Sequence, residues 1–213
     1  MTSRVAALQA RIEALSVASQ RLEDARLIKR LQRAYGYYID RGYWREAADL
    51  FADDATFESG VDGVYVGRSR IHELLMRQGG GNPGPGLPYG QLNHRMQLQP
   101  VVHVAADGKT AKGRWRELAL LGQFKKYAAW GDGIYENEYV KQHGVWKLAK
   151  LHFYPNFVAP YEGGWAALKP VPRDWRSDVA KSFPPDRPAT ISYRPFPDSY
   201  VPAFHYTHPG GYP

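Results

Sequence analysis

Residues that suit acid–base chemistry occur at two places in the first half of the chain. His94 begins a strand-like run, and side-chain alternation places it on an apolar face of that strand. A histidine beside apolar neighbours suits proton transfer near neutral pH. Asp40 and Tyr35 lie in the aromatic run AYGYYIDRGYW, where a carboxylate is favoured to be half-buried. The alternatives are a wall histidine without a chemical role and a solvated aspartate near a helix end.

The spacing of Tyr35 and Asp40 does not decide whether the two side chains face the same pocket. Tyr35 and Asp40 are five residues apart, which separates them by about 140° around an ideal helix. They face one pocket only if the helix ends or bends nearby. Tyr37 and Asp40, at positions i and i+3, share a face more securely.

Polar and aromatic side chains alternate along later strand-like runs. Tyr135 and Asn137 share one face of their strand, while Glu117 lies opposite two arginines on its own strand. Glu117 could serve as a second acid or base, with pairing to an arginine as the alternative. The predicted substrate-binding residues are Tyr37, Trp44, Trp115, Glu117, Tyr135, Asn137, His152, Tyr154 and Asn156.

Motifs for metals, phosphates and nucleophilic serines are missing from the sequence. No H-x-x-x-H or E-x-x-H pair falls on a predicted helix, and the chain has no cysteine, so we expect neither a metal nor another cofactor. The tail histidines His205 and His208 are interpreted as packing residues. Gly79 to Gly81 precede no Gly-Lys-Ser/Thr, and no G-x-S-x-G occurs.

Helices dominate the front of the chain. Apolar residues recur at three- and four-residue steps over residues 5–33, and Ser16, Ser19 and the pair Glu23-Asp24 predict a break within this run. The second helix is expected to end near Gly42. Further helices are predicted over residues 45–51 and 69–77.

Strands dominate residues 55–154. Two short strands flank the Asp62-Gly63 turn, and a loop rich in glycine and proline (GGGNPGPGLP) is a candidate lid. Four longer runs with hairpin signals between them occupy residues 93–104, 110–121, 127–141 and 145–154. Helices succeeded by an antiparallel meander indicate an α+β fold with the helices on one face of a curved sheet.

Composition narrows the class of protein. The chain has 213 residues, 14% of them aromatic, and no apolar run long enough to span a membrane or to form a signal peptide. We therefore expect a cytoplasmic protein. The net charge of +7 is scattered, which argues against nucleic acid as a partner. Three segments are predicted: an N-terminal helical extension (1–21), a central domain (22–160) and a proline- and aromatic-rich extension (161–213).

Several blocks of sequence, in order, resemble one known family. AYGYYIDRGYWREAADLFADDATFESG, GVYVGRSRIHELL, NHRMQLQPVVHVAADGKTAKGRW, GIYENEYVK and GVWKLAKLHFY are similar to the SnoaL-like branch of the nuclear transport factor 2-like (NTF2-like) superfamily. The resemblance covers about residues 22 to 157. It implies a cone-shaped α+β barrel around a deep apolar pocket.

The resemblance also implies chemistry. Enzymes of this branch usually need no cofactor, and its dehydratases use a Tyr, an Asp and a His at the positions of Tyr35, Asp40 and His94. The resemblance favours a cofactor-independent lyase for a bulky aromatic alcohol, acting by dehydration or by deformylation, and the tail looks like that of lignin diarylpropane lyases. Alternatives are a non-catalytic binding or assembly subunit and an isomerase of the ketosteroid type. A homo-oligomer is expected, with a trimer favoured over a dimer.

Overall fold

The computed structural model describes residues 2–172 and 174–210. Its elements are α1 (Thr2–Asp40), α2 (Trp44–Asp49), β1 (Phe51–Ser59), β2 (Val64–Val66), α3 (Arg68–Gln78), β3 (Gln91–Val104), β4 (Thr110–Gln123), β5 (Tyr127–Gln142), β6 (Val145–Pro160), a 3₁₀ turn (Trp165–Ala167) and α4 (Asp178–Ser182). Within the described residues, none of the helices combines the length and apolarity needed to cross a bilayer.

One six-stranded sheet organises the molecule, in the order β2-β1-β6-β5-β4-β3. β1 and β6 are parallel, and every other neighbouring pair is antiparallel. The four long strands form the predicted meander, because tight turns at Asp107-Gly108 and His143-Gly144 join alternating runs. The sheet is curved, and its inner face is covered by helices. The predicted α+β architecture is confirmed.

The predicted break in the first helix is wrong, because α1 runs without interruption from Thr2 to Asp40. No glycine or proline occurs before Gly36, and alanine, leucine and arginine favour helix throughout. The Asp24 carboxylate is buried, where it accepts hydrogen bonds from the Trp146 indole (2.9 Å) and the Lys141 ammonium (2.6 Å). These contacts fix the helix to the sheet at the point where the serines and acidic residues suggested a new start.

The hydrophobic core lies between α1 and the inner face of the sheet. Ile28 and Leu31 point inward from α1 and meet Leu148 and Leu151 of β6 in one cluster. Every described side chain from residue 4 to residue 22 is exposed, so the first half of α1 extends beyond this core.

From about residue 190 onward the C-terminal segment lies on the outer face of the sheet, whereas its earlier part packs against the core through Phe183. Thr190 donates its backbone N–H and its hydroxyl to the Glu58 carboxylate, which is 1% exposed. Further along, Arg114 donates to the Pro202 carbonyl, and His205 contacts Glu136 at 2.8 Å. The segment is therefore held by buried polar contacts as well as by its aromatic rings.

Candidate active site

A cavity of about 290 Å³ lies between the inner face of the sheet, the helices and part of the C-terminal segment. Aromatic rings form much of its wall, supplied by Trp44, Phe57, Phe153 and Trp175. Its size is near the lower end of the range for small-molecule sites, and concave apolar walls with a few polar groups are typical of them.

A connected polar cluster forms one side of this cavity. Glu117 of β4 is 1% exposed and lies behind the wall, where Arg95 donates to its Oε1 (2.7 Å) and the Tyr135 hydroxyl donates to its Oε2. The Arg95 Nε donates to Asn93 (3.1 Å), whose amide in turn donates to the Ile39 carbonyl (3.0 Å). Arg95, Tyr135 and Asn93 face the cavity, so Glu117 holds two of the groups that a ligand would meet.

Tyr35 adds a phenol to this cluster. Its side chain is 2% exposed and lines the cavity, and its hydroxyl has no hydrogen-bond partner among the described residues. The ring packs edge-on against Phe51 at 5.9 Å, which fixes its orientation. A fixed hydroxyl without a protein partner is available to a ligand in the cavity.

Burial dominates the protonation of both phenols. The pKa of Tyr35 is raised above its ordinary value of 10 by burial and by the negative charge of Glu117. The pKa of Tyr135 is raised well above 10 for the same two reasons. Both side chains therefore remain protonated hydrogen-bond donors at neutral pH.

A second polar group lies across the cavity. Asp62, in the turn between β1 and β2, is 6% exposed and accepts hydrogen bonds from the Ser177 backbone N–H and hydroxyl, both at 2.7 Å. The neighbouring Trp175 ring packs on Gly60, where an added Cβ would lie 2.5 Å from the ring. Asp62, Ser177 and Trp175 all line the cavity, so the C-terminal segment completes its wall.

The sequence-predicted acid–base set is not brought together in this cavity. Tyr35 lines it, but Asp40 lies in a separate pocket between α1 and β3, where its carboxylate accepts the Arg95 backbone N–H at 2.6 Å. Burial raises the pKa of Asp40. Among the described residues no histidine lines the cavity, because Asn93 and Arg95 point inward from β3 and alternation sends His94 to the other face.

The predicted binding residues lie at several places in the fold, and only some of them line the cavity. Trp44 and Tyr135 line the cavity, while Trp115 and Asn137 belong to a buried hydrogen-bonded group with Tyr139. Tyr37 is 73% exposed on α1. Glu117 lies behind the cavity wall, bonded to Arg95 and Tyr135. The last three lie on the outer face, beneath or beside the C-terminal segment: His152, Tyr154 and Asn156.

The sequence did not indicate the polar groups of the cavity other than the hydroxyls of Tyr35 and Tyr135. Asn93 and Arg95 flank the predicted His94 on the same strand. Assigning the odd-numbered residues instead of the even-numbered ones to the inner face would have identified them. The sequence around Asp62 indicated only a turn. No local pattern linked Trp175 or Ser177 to a site that is formed by residues more than a hundred positions earlier.

Comparison with known proteins identifies the family. The model of the SnoaL-like domain matches residues 20–152. The chain belongs to the SnoaL-like domain family. With this match and the curved α+β sheet, the NTF2-like fold expected from the sequence is confirmed. No curated protein matches the chain in sequence.

Solved structures share the fold at low sequence identity. A Novosphingobium aromaticivorans DSM 12444 protein that bears the provisional name scytalone dehydratase is 20% identical, with a TM-score of 0.59 over 68% of this chain and 91% of its own. The hexachlorocyclohexane dehydrochlorinase LinA-type3 from Novosphingobium barchaimii LL02 is also 20% identical, with a TM-score of 0.58 over 73% of this chain and 99% of its own. At this identity the similarity establishes the fold alone.

Proposed function

We propose that this SnoaL-like protein is a cofactor-independent lyase that acts on a bulky, two-ring aromatic alcohol. The observation that supports this proposal is the aromatic cavity with a phenol–guanidinium–carboxylate cluster on one side. The structural neighbours named as a dehydratase and a dehydrochlorinase carry out eliminations by name, and an elimination needs a proton acceptor and a proton donor.

In the proposed mechanism a two-residue relay is the base. The Tyr135 hydroxyl accepts a proton from a substrate hydroxyl while its own proton passes to Glu117 Oε2, to which it already donates a hydrogen bond. This relay avoids a free phenolate, which burial disfavours. Arg95 stabilises the alkoxide character that develops on the substrate oxygen, and it is positioned by Glu117 and Asn93.

Tyr35 is the proposed acid. Its hydroxyl, free of protein partners among the described residues, donates to the departing hydroxyl group of the substrate, which leaves as water. The electron pair that formed the broken bond becomes the new carbon–carbon double bond. Tyr35 is reprotonated by the proton that the relay removed, so the enzyme returns to its starting state.

Deformylation is the favoured reaction of this class. From a diaryl 1,3-diol, the relay removes the hydroxyl proton of the hydroxymethyl group. The bond between the central carbon and the hydroxymethyl carbon then breaks, and formaldehyde is released. The electron pair forms the double bond as the benzylic hydroxyl leaves. One diol thus gives one stilbene, one formaldehyde and one water. Simple dehydration, which keeps the hydroxymethyl carbon, uses the same groups, but the relay then removes the proton on the central carbon, whose C–H electron pair forms the double bond as the benzylic hydroxyl leaves as water.

The two polar ends of the cavity favour an elongated substrate. Asp62 comes shortly after β1 and Arg95 lies on β3, at opposite ends of this part of the sheet order, and both line the cavity. Between them the wall is largely aromatic. A molecule with two rings fits this arrangement, with the reacting alcohol beside Arg95 and a hydroxyl of the far ring donating to Asp62.

A panel of alcohols tests the proposal. Purified protein is incubated with diaryl 1,3-diols, diaryl monoalcohols and single-ring alcohols, without added metal, and products are identified by chromatography and mass spectrometry. We expect a stilbene and formaldehyde from the 1,3-diols and little turnover of single-ring compounds. If no member of the panel reacts, the lyase proposal is rejected.

A ligand-binding or assembly module is the second candidate, because no histidine lines the described part of the cavity wall. It predicts that diaryl alcohols bind without being converted, as measured by calorimetry and product analysis on the same sample. An isomerase of the ketosteroid type would instead exchange deuterium next to a ketone. Turnover of the diols without such exchange contradicts both alternatives.

A further inference from the structure

The exposed first half of α1 carries an apolar stripe with a seven-residue repeat. Val5, Leu8, Ile12, Leu15 and Leu22 are between 54% and 75% exposed, and their spacing alternates between three and four residues, with Ser19 at the one polar position. In a heptad, Val5, Ile12 and Ser19 occupy position a. Leu8, Leu15 and Leu22 occupy position d.

This seam does not belong to the core of its own domain. The core face of α1 begins at Asp24 and continues through Ile28 and Leu31. At 100° per residue, Leu8 and Leu15 lie about 140–160° around the helix from Ile28. Residues 4–22 extend for about 28 Å as an exposed helix. Helices in proteins owe most of their stability to the packing of an apolar face, and this stretch packs its apolar side against no described part of its own chain.

We infer that this helix pairs with the same helix of a second copy of the chain, in a parallel two-stranded coiled coil. β-Branched side chains such as Val5 and Ile12 at position a, with leucine at position d, favour two helices over three or four. The seam is self-complementary because both helices present the same residues. Ser19 places one polar residue at an a position, which lowers the stability of the pair at that point.

The residues beside the seam are compatible with parallel pairing. In that arrangement the g position of one helix lies near the next e position of the other, which pairs Arg4 with Gln9, Arg11 with Ser16 and Ala18 with Glu23. None of these pairs brings like charges together. Covering the apolar side chains of both helices removes about 1,000 Å² of surface from water, the size that a specific interface needs.

A pair of matched double variants tests the association. Leu8→Glu/Leu15→Glu places two charges in the seam, whereas Ala10→Glu/Val17→Glu places two charges at f positions on the same exposed helix. Mass is measured by light scattering after size exclusion, with circular dichroism to verify folding. We expect the wild type and the f variant at the same even multiple of 24.1 kDa, and the seam variant at half that mass. A seam variant of unchanged mass, or a wild type at one or three copies, overturns the inference.

Cross-linking tests the parallel register, since the natural chain has no cysteine. Under mild oxidation Leu8→Cys is expected to give a disulfide-linked dimer, because equivalent d positions are adjacent in a parallel pair. Ala10→Cys, at an outward position, should remain monomeric on a denaturing gel. Absence of the Leu8→Cys dimer, or equal cross-linking of both variants, rejects parallel pairing. Neither test depends on catalytic activity, so each can fail independently of the proposed function.

Discussion

Replacing Tyr135 with phenylalanine removes the one hydroxyl that joins the cavity to Glu117. The ring stays in place because it packs against Phe153 at 4.5 Å, so the change deletes one oxygen and little else. In the proposed mechanism the substrate proton then has no path to Glu117. General acid–base catalysis contributes roughly 10²–10⁴-fold, so we expect kcat/KM to fall at least 100-fold.

The same substitution also costs stability, and the structure supplies a control for this. Glu117 Oε2 loses its hydrogen-bond donor in the buried state, which costs about 1–3 kcal/mol in the free energy of unfolding. Tyr139, four residues along the same strand, is equally buried and bonded to Gln32 and Trp115, but it does not line the cavity. Tyr139→Phe should lose a similar amount of stability and keep its activity.

Both variants are compared by urea unfolding and by steady-state kinetics with the diol that the wild type converts best. A large loss of kcat/KM for Tyr135→Phe alone supports the relay. If Tyr135→Phe retains kcat/KM within about twofold of the wild type, the relay is wrong, since the acid–base contribution would be missing without effect. If both variants lose activity in parallel with stability, the loss is structural and the assignment of Tyr135 fails as well.

Three further predictions concern pH and the cavity wall. Burial lowers the pKa of His152 from 6.5 to about 3. Between these values the unfolded state binds a proton that the folded state does not, so the free energy of unfolding should fall by about 3 kcal/mol as the pH drops from 6.5 to about 4. Urea unfolding of His152→Asn should depend less on acid pH, while the control variant His143→Asn, changed at an exposed site, keeps the wild-type dependence. Because the pKa values of Tyr35 and Tyr135 are raised, kcat/KM should not decline between pH 8 and about 10 through phenol ionisation; a decline with an apparent pKa below 9 contradicts their assignment as buried donors. Trp175→Ala opens the wall beside Gly60 and should raise KM for two-ring substrates about tenfold, the effect of roughly 1.4 kcal/mol of lost contact; an unchanged KM would show that the C-terminal segment does not contact the substrate.

The meander was predictable because its signals are local. Alternating residues joined by turns at Asp107-Gly108 and His143-Gly144 define a hairpin without reference to the rest of the chain. The uninterrupted length of α1 was harder to predict, because serines and an acidic pair also occur where helices begin. The contact of Asp24 with Trp146 spans more than a hundred residues, and no local pattern records it.

Three aromatic residues of the site were predictable, and its polar residues other than the tyrosine hydroxyls were not. Tyr35, Trp44 and Tyr135 are large rings at core-facing positions, which hydrophobic periodicity indicates. On β3 the apolar residues suggested the inward face, yet Met96 and Leu98 are 37% and 38% exposed on the outer one. Arg95 and Gln97 point inward instead, because Glu117 and Gln32 provide them with hydrogen bonds from other elements. The alternation of side chains over residues 93–98 was predictable, but which of the two faces lies inward depends on partners that the local sequence does not show.

The fate of the hydroxymethyl carbon tests the central claim most directly. A diaryl 1,3-diol labelled with ¹³C at that carbon is incubated with the purified protein in a chelating buffer, and the label is tracked by NMR. The proposed lyase releases the label as hydrated formaldehyde, one for each stilbene formed, and Tyr135→Phe slows this release. Label that stays in unchanged diol would contradict the lyase assignment, and label retained in a dehydrated product would contradict deformylation.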